Sequence, residues 1–318
     1  MIHRRLALLA LPLLSIALAW QPVTAAAAEI STEVGAGGLS FAANPSIKLE
    51  QQDVLITPDR ITVTYTMRND ASSPQSIYVS FALPDLEANA VVEGEVALAA
   101  ADPINFVQFA TTADGQPITV LTEQRALALG LDVTNLLSVS GIPQMPTADG
   151  LPARLEALTE AQRIGLLERG ILKEDGTSLA PAWSVKTVAY WRQSFAPEQT
   201  ITIQHSYRPI AGIAAFRTDA FANLRKRACI TSAHEAAIAK LPSSVGGTPT
   251  LTSVTYSATS NADALGPARR FRLIVESGDP LTVIATCREG LKQTGPMQLD
   301  WNATDYVPEE DFQFIFAR

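Results

Sequence analysis

The chain has 318 residues, of which 47% are apolar and 18% are charged, and its formal net charge is −8 at pH 7. Disordered chains combine low hydrophobicity with a high net charge, so this composition excludes that class. The acidic balance argues against a nucleic-acid-binding protein, which needs cations for phosphate contacts. Only three histidines and two cysteines are present. They leave few ligands for a zinc or iron–sulfur site, and we expect no cofactor.

The first 28 residues have the three parts of a secretory signal peptide. A basic stretch at 3–5 precedes an apolar core at 6–19, and a run of small residues ends at Ala28. The alternative is a membrane anchor, but a core of about 14 residues is short for a spanning helix. We therefore predict cleavage near Ala28 and a periplasmic or secreted protein with no transmembrane segment in the mature chain. Loss of Arg4 and Arg5 makes the remaining net charge −10, from 22 basic and 32 acidic residues.

The two cysteines, Cys229 and Cys287, are predicted to form a disulfide, because an exported protein reaches an oxidising compartment. The bridge would close a loop of 58 residues, between positions 229 and 287. The chain-entropy model assigns about 4 kcal/mol to a loop of that size. The alternatives are two buried free thiols or a catalytic cysteine, and the sequence has no CxxC or paired histidine to support a metal site.

Alternating apolar and polar residues predict strands along most of residues 29–215. Residues 61–67 and 75–81 alternate on either side of a turn-rich segment and are predicted to form a hairpin. A second hairpin is predicted from 106–109 and 118–121 around Asp114-Gly115, and a third from 187–195 and 200–207. Short strands at regular spacing favour a β-sandwich-like domain.

A helical insert is predicted at about 122–175 within this domain. Residues 122–130 and 132–138 are short helical candidates, and Thr159 with Gln162 forms a capping-box start for a helix at 161–169. The insert either covers an open sheet end or forms a gate over a ligand.

Residues 216–318 are predicted to form a second, β-rich region linked by the disulfide. A helix at 233–240 would begin with a capping box of Ser232 and Glu235, and strands are predicted at 250–256, 270–276, 281–287, 297–302 and 311–316. The predicted fold class is therefore mainly β (α+β), with a boundary between 215 and 216.

Several short motifs follow one another in a distinctive order. In chain order they are Gly37-Gly38-Leu39, Phe81-Ala82-Leu83-Pro84-Asp85, Asp114-Gly115-Gln116-Pro117, Tyr190-Trp191, His205-Ser206-Tyr207-Arg208-Pro209, Cys229-Ile230, Phe271-Arg272-Leu273, Gly278-Asp279-Pro280 and Cys287. Their order resembles a family of exported bacterial proteins known as domain of unknown function 4424, over about residues 34–316. The resemblance implies no activity and no catalytic residue.

No arrangement of residues predicts a reaction. His205 and His234 lie apart from any serine and aspartate of a triad, and no GxSxG motif occurs. Paired carboxylates could come from residues 309–311 or from Asp300, as a glycoside hydrolase would need. The alternative for these acids is a solvated surface.

Two groups of residues are candidates for binding. A cluster of cations near the disulfide could bind an anionic group, or could instead form ion pairs with the chain's own acids; it comprises Arg225, Lys226, Arg227, Arg269, Arg270, Arg272 and Arg288. Tyr190 could line a carbohydrate or peptide groove, whereas Trp191 on the opposite strand face is predicted to be core.

The predicted function is a non-enzymatic, exported binding protein for an envelope protein or for an anionic polysaccharide or lipid. The alternatives are a carbohydrate-active hydrolase that uses paired carboxylates, and an adhesion or envelope-assembly factor. Paired carboxyl groups in a cleft would favour the hydrolase. A long unpaired strand edge would favour the assembly factor.

Overall fold

The computed structural model describes residues 32–242, 248–261 and 265–318, so the predicted signal peptide lies outside the described residues. The strands of the described residues are β1 (Ala36–Gly37), β2 (Ser40–Phe41), β3 (Ile47–Ile56), β4 (Ile61–Asn69), β5 (Gln75–Ala82), β6 (Leu86–Glu87), β7 (Ala110–Ala113), β8 (Gln116–Pro117), β9 (Leu121–Ala128), β10 (Leu131–Asp132), β11 (Leu172–Asp175), β12 (Ser178–Pro181), β13 (Ser184–Phe195), β14 (Thr200–Tyr207), β15 (Gly212–Ala215), β16 (Thr250–Ser257), β17 (Ala268–Glu276), β18 (Val283–Ala285), β19 (Lys292–Gly295), β20 (Gln298–Tyr306) and β21 (Phe312–Ala317). The helices of the same residues are α1 (Ala88–Val92), α2 (Thr134–Val139), α3 (Leu151–Glu156), α4 (Glu160–Glu168), α5 (Asp219–Arg227) and α6 (Ser232–Ile238). None of these helices is long and apolar enough to cross a membrane.

Two large sheets form a sandwich, so the predicted mainly β fold is confirmed. One sheet has the order β19-β20-β17-β3-β4-β14-β7-β8, and the other has the order β10-β9-β13-β5-β2, with β6 beside β13. Every second residue of β4 is buried, which is the pattern of a strand with one face against a core. The inner faces meet in aromatic contacts, such as Phe81 of β5 with its ring centroid 5.4 Å from that of His205 of β14.

Two of the predicted hairpins are wrong, although their strands exist. β4 pairs with β3 and β14, whereas β5 pairs with β13 and β2, so the chain crosses between the sheets at residues 70–74. It crosses back at 196–199, between β13 and β14. The buried Asn69 links both crossings: its Nδ2 donates to the carbonyl oxygens of Ser73 (3.0 Å) and Ala196 (2.9 Å). These bonds satisfy the polar groups of two loops that close one end of the sandwich.

The hairpin predicted around Asp114-Gly115 does form, but from β7 and β8 rather than from 106–109 and 118–121. Asp114 and Gly115 have φ values of 48° and 77°. Two residues with positive φ match the tight turn that a two-residue hairpin loop requires.

The helical insert is shorter than predicted. Residues 122–130, expected to be helical, lie mostly in β9, which pairs along β13 and places Ala126 and Ala128 in the core. Small residues at positions 126 and 128 fit one face of a strand as well as they fit a helix, so this short pattern did not distinguish a strand from a helix. The capping box of Thr159 and Gln162 is confirmed: it begins α4, with Thr159 Oγ1 accepting from Gln162 N at 3.3 Å.

The structure also differs from the division at 215/216. β17 lies parallel to β3, with residues 270–275 paired to 51–56, so one sheet contains strands from both sides of the boundary. Val54 and Phe316 belong to the same hydrophobic core. Each predicted region therefore buries its apolar face against the other.

A third sheet has the order β1-β16-β21-β18, with β15 also beside β16. Val254, Tyr256 and Phe314 on one face belong to the main core. On the opposite face, Leu251 and Ile315 belong to a second cluster with residues of α5 and α6. The sheet is thus buried on both sides where these helices cover it.

Candidate functional site

The candidate site is an open cleft of about 540 Å³ on the third sheet. Along the face that α5 and α6 cover, β16 changes from the buried Leu251 to Ser253 and Thr255, and β21 changes from Ile315 to Gln313. Polar residues therefore begin where the helical cover ends. The residues that line the cleft are Glu33, Gly35, Arg227, Thr255, Ser257, Thr286, Cys287, Arg288, Glu310, Asp311 and Gln313.

The predicted disulfide between Cys229 and Cys287 is confirmed, and it forms part of the cleft wall. It joins the segment after α5 to the segment after β18, with a Cα–Cα distance of 4.9 Å. Arg227 precedes the first cysteine by two residues and Arg288 follows the second directly. The bridge therefore brings both guanidinium groups to one cleft.

Glu33 lies on the inner wall of the cleft, and its side chain is only 9% exposed. The backbone holds it there, since Val34 N donates to Ile210 O at 3.1 Å and β1 then pairs with β16. Its Oε2 accepts hydrogen bonds from Ser253 Oγ at 2.6 Å, Gln313 Nε2 at 2.9 Å and Arg227 Nη2 at 3.3 Å. Its Oε1 is buried and has no hydrogen-bond partner among the described residues.

Arg288 is the more buried of the two arginines. Its guanidinium carbon lies 3.8 Å from the ring centroid of Trp301, a distance at which the aromatic face attracts a cation. Its Nη1 forms an ion pair with Glu310 Oε1 at 2.6 Å. Its Nε is buried and has no hydrogen-bond partner in the described part of the chain. The stacking fixes the plane of the guanidinium group at the cleft.

The other predicted cations do not line the cleft. Arg225 forms an ion pair with Glu235 at 2.7 Å. On β17, Arg269 pairs with Glu50 at 3.1 Å and Arg272 pairs with Asp300. Lys226 and Arg270 are exposed. Of the predicted cluster, the structure therefore brings together Arg227 and Arg288.

The predicted carboxylates are divided in the same way. Glu310 and Asp311 line the cleft, and Asp311 Oδ1 accepts from Thr259 N at 3.1 Å and from Thr259 Oγ1 at 2.8 Å. Asp300 lies away from it on β20. Burial alone would raise the pKa of Asp300, but hydrogen bonds from Gln298, Arg272 and Thr294 outweigh burial and hold the pKa below its usual value. Asp300 is therefore an ionised ion-pair partner.

The two histidines of the described residues have structural surroundings. His205 is fully buried among the rings of Tyr65, Phe81, Phe109 and Tyr207, with no hydrogen-bond partner in the described chain for either ring nitrogen. Desolvation lowers the pKa of His205 to about 3, so its ring is neutral at pH 7.

His234 lies at the start of α6. Its Nδ1 accepts a hydrogen bond from Thr231 N at 3.2 Å, so the capping box begins one residue before the predicted Ser232. Within the described residues, no group of three or more His, Cys, Asp or Glu side chains could hold a metal ion.

Tyr190 is half-buried on β13, beside Ser80 of β5 and Leu121 of β9, and it does not line the cleft. Trp191 is 5% exposed and belongs to the core, as predicted.

Sequence reasoning missed Glu33, Gln313 and Thr255. The usable signal was the change from apolar to polar residues on one face of a strand, in Leu251-x-Ser253-x-Thr255-x-Ser257. Glu33 has no such signal, because it precedes the first strand and reaches the cleft only through the fold.

Comparison with known proteins identifies a family. No curated protein matches the chain. A candidate nutrient-binding protein from Legionella pneumophila has a similar crystal structure, with 12% identity and a TM-score of 0.47 over 91% of this chain and 72% of that one. An M1 zinc metallopeptidase from Deinococcus radiodurans is similar with 9% identity and a TM-score of 0.26, over 86% of this chain and 43% of that one. The family model for the domain of unknown function DUF4424 matches residues 27–315, and the chain therefore belongs to that family.

Proposed function

We propose that the protein is a periplasmic or secreted binding protein, without catalytic activity, that holds a small charged ligand in the cleft beside its disulfide. The observation that carries this proposal is the uncovered, polar end of the third sheet, where charges of both signs surround a volume of about 540 Å³. Small-molecule sites commonly enclose about 300–1,000 Å³. Export is supported by the signal-peptide pattern and by the disulfide.

The charges of the cleft favour a small ligand over an anionic polysaccharide or lipid. Three carboxylates, Glu33, Glu310 and Asp311, line it together with two guanidinium groups, those of Arg227 and Arg288. A polyanion would meet carboxylates as well as arginines, and like charges at close range are unfavourable. A single charged group can instead take the place of one existing ion pair.

Binding is favoured over hydrolysis because each cleft carboxylate already accepts a hydrogen bond or forms an ion pair. Glu310 pairs with Arg288, Asp311 accepts two bonds from Thr259, and Glu33 Oε2 accepts three. A hydrolase would need one carboxyl group free to give up a proton.

The test is a thermal-shift screen of the mature chain against amino acids, peptides, sugars, organic acids, nucleotides and polyamines. Thr255→Trp fills the cleft floor. Thr62→Trp is the matched control, since Thr62 is also half-buried on a strand but does not line the cleft. We expect at least one compound class to raise the Tm of the wild type and the control, but not of Thr255→Trp. Equal shifts in all three proteins, or no shift with any class, would overturn the proposal.

The same screen separates binding from catalysis. After incubation, mass spectrometry of the bound compound should recover it unchanged. A hydrolysis product that forms with the wild type and not with Thr255→Trp would show that the protein is a hydrolase and would overturn the proposed binding function.

A further inference from the structure

The inner wall of the cleft has one carboxylate oxygen without a hydrogen-bond partner among the described residues. All three donors to Glu33 meet Oε2, while the buried Oε1 accepts no hydrogen bond from the described residues. An ionised carboxylate can accept about four hydrogen bonds, shared between its two oxygens. A buried oxygen without a donor costs free energy, and a charged donor offsets that cost best. An ammonium group, with three donors and a positive charge, has the matching chemistry.

The same cleft also has a positive charge, on Arg288, that could bind an anionic group of a ligand. Arg288 keeps its guanidinium group stacked on Trp301, and its buried Nε has no partner in the described part of the chain. Its Nη1 is shared with Glu310, whose side chain is 57% exposed and can turn towards solvent. A planar guanidinium group that is already oriented binds a carboxylate with little further loss of side-chain freedom.

We propose that the cleft binds a zwitterionic ligand, an amino acid or a short peptide, with its ammonium group on Glu33 and its carboxylate on Arg288. The inference rests on the proposed function and narrows it. The cleft carries three negative and two positive side chains. A ligand with one charge of each sign gains at both ends and leaves this balance unchanged. A simple anion would meet Glu33, and a simple amine would leave Arg288 unused.

The test changes the ligand before the protein. A pool of di- and tripeptides is offered to the wild-type mature chain and to its Thr255→Trp variant. The retained peptides are identified by mass spectrometry, and their affinity is measured by calorimetry. Each retained peptide is then compared with its N-acetyl form, which lacks the ammonium group, and with its C-terminal amide, which lacks the carboxylate. Single amino acids and the corresponding amines are measured in parallel.

We expect acetylation to weaken binding at least about tenfold, because it removes the charged group that donates to Glu33. Amidation should weaken it by a similar factor. Glu33→Gln keeps the shape of the side chain, and this variant should bind the free peptide about tenfold more weakly while the acetylated form is unaffected. Glu50→Gln is the matched control, because Glu50 also pairs with one arginine, Arg269, but lies outside the cleft. It should bind like the wild type.

The outcomes distinguish this inference from the proposed function. Equal affinity for free and acetylated peptides would overturn the role of Glu33 and with it the inference. So would the absence of any bound peptide or amino acid. If another compound class still raises the Tm in a way that Thr255→Trp abolishes, the binding function stands and the zwitterionic ligand does not. The ligand comparisons use the wild-type protein, so they decide the matter even if Glu33→Gln fails to fold.

Discussion

The buried His205 predicts a specific loss of stability in mild acid. The side chain is fully buried among four aromatic rings, and its ring nitrogens have no hydrogen-bond partner in the described chain. Protonation in the folded state would place an unpaired charge in an apolar core. The unfolded chain has no such penalty, so acid favours unfolding through this one group. His205→Leu removes the titrating ring and keeps an apolar side chain of similar size.

The magnitude follows from the two pKa values. Desolvation lowers the pKa of His205 from 6.5 to about 3 in the folded protein. Because the folded pKa is the lower one, the unfolded state binds the proton first. The free energy of unfolding is therefore unaffected by this group above pH 6.5 and falls between pH 6.5 and 3, by about 1.4 kcal/mol per pH unit. At pH 5 the loss is about 2 kcal/mol.

The assay is urea unfolding of the mature chain at pH 8, 6.5 and 5. Carboxylates titrate alike in the compared proteins, so the quantity of interest is the difference between the pH dependences. Wild-type protein should lose about 2 kcal/mol more than His205→Leu between pH 8 and pH 5. Phe109→Leu is the control, because it disturbs packing in the same aromatic cluster and keeps the histidine. An equal loss in wild type and His205→Leu would refute the reasoning.

Two further predictions concern stability. Replacing both Cys229 and Cys287 by serine should lower the free energy of unfolding by up to about 4 kcal/mol, because the unfolded chain regains the freedom of a 58-residue loop. Urea unfolding measures this loss, and the loss in the double variant should not exceed the loss in wild-type protein whose disulfide has been reduced. An unchanged midpoint of unfolding would contradict the prediction. Gly38→Ala should cost about 1–3 kcal/mol by the same assay, since the new Cβ would overlap Tyr65 Oη and lie 2.6 Å from Tyr256 Oη; Tyr65→Phe, which removes one of these oxygens, should reduce that cost, and no change in the cost would argue against the clash.

The alternation of apolar and polar residues predicted where the strands lie better than it predicted which strands pair with each other. Alternation along 61–67 and 75–81 reports which face of each strand is buried, and that pattern is the same for a hairpin and for a crossing between two sheets. At the two crossings, the side chain of Asn69 bonds loops that are more than 120 residues apart in the chain. Such a contact leaves no periodic trace. The division at 215/216 failed for the same reason, because β17 finds β3 as its neighbour across more than 200 residues.

The candidate site was predictable only where the chain itself brings residues together. The disulfide was predicted from two cysteines that follow a signal-peptide pattern, and it brings Arg227 and Arg288 to one place. Three other arginines of the predicted cluster form ion pairs with acids of the chain, Arg225 with Glu235, Arg269 with Glu50 and Arg272 with Asp300. Nearness to a cysteine in the sequence therefore placed two arginines, Arg227 and Arg288, correctly at one site. It did not predict which acidic side chains pair with each arginine, because the fold determines those pairs.

The uncovered polar end of the third sheet has two possible interpretations, a binding site or a place where the helices simply fail to cover the sheet. If α5 and α6 were simply too short to cover β16 and β21, the uncovered residues would still be free to be apolar or charged at random. Instead Ser253 and Gln313 both donate to one oxygen of Glu33 and leave the other oxygen of that carboxylate without a donor among the described residues. Buried polar groups in folded proteins are almost always satisfied. A carboxylate that is fixed through Oε2 and has a buried Oε1 without a donor among the described residues supports the proposal that a ligand supplies the remaining donor.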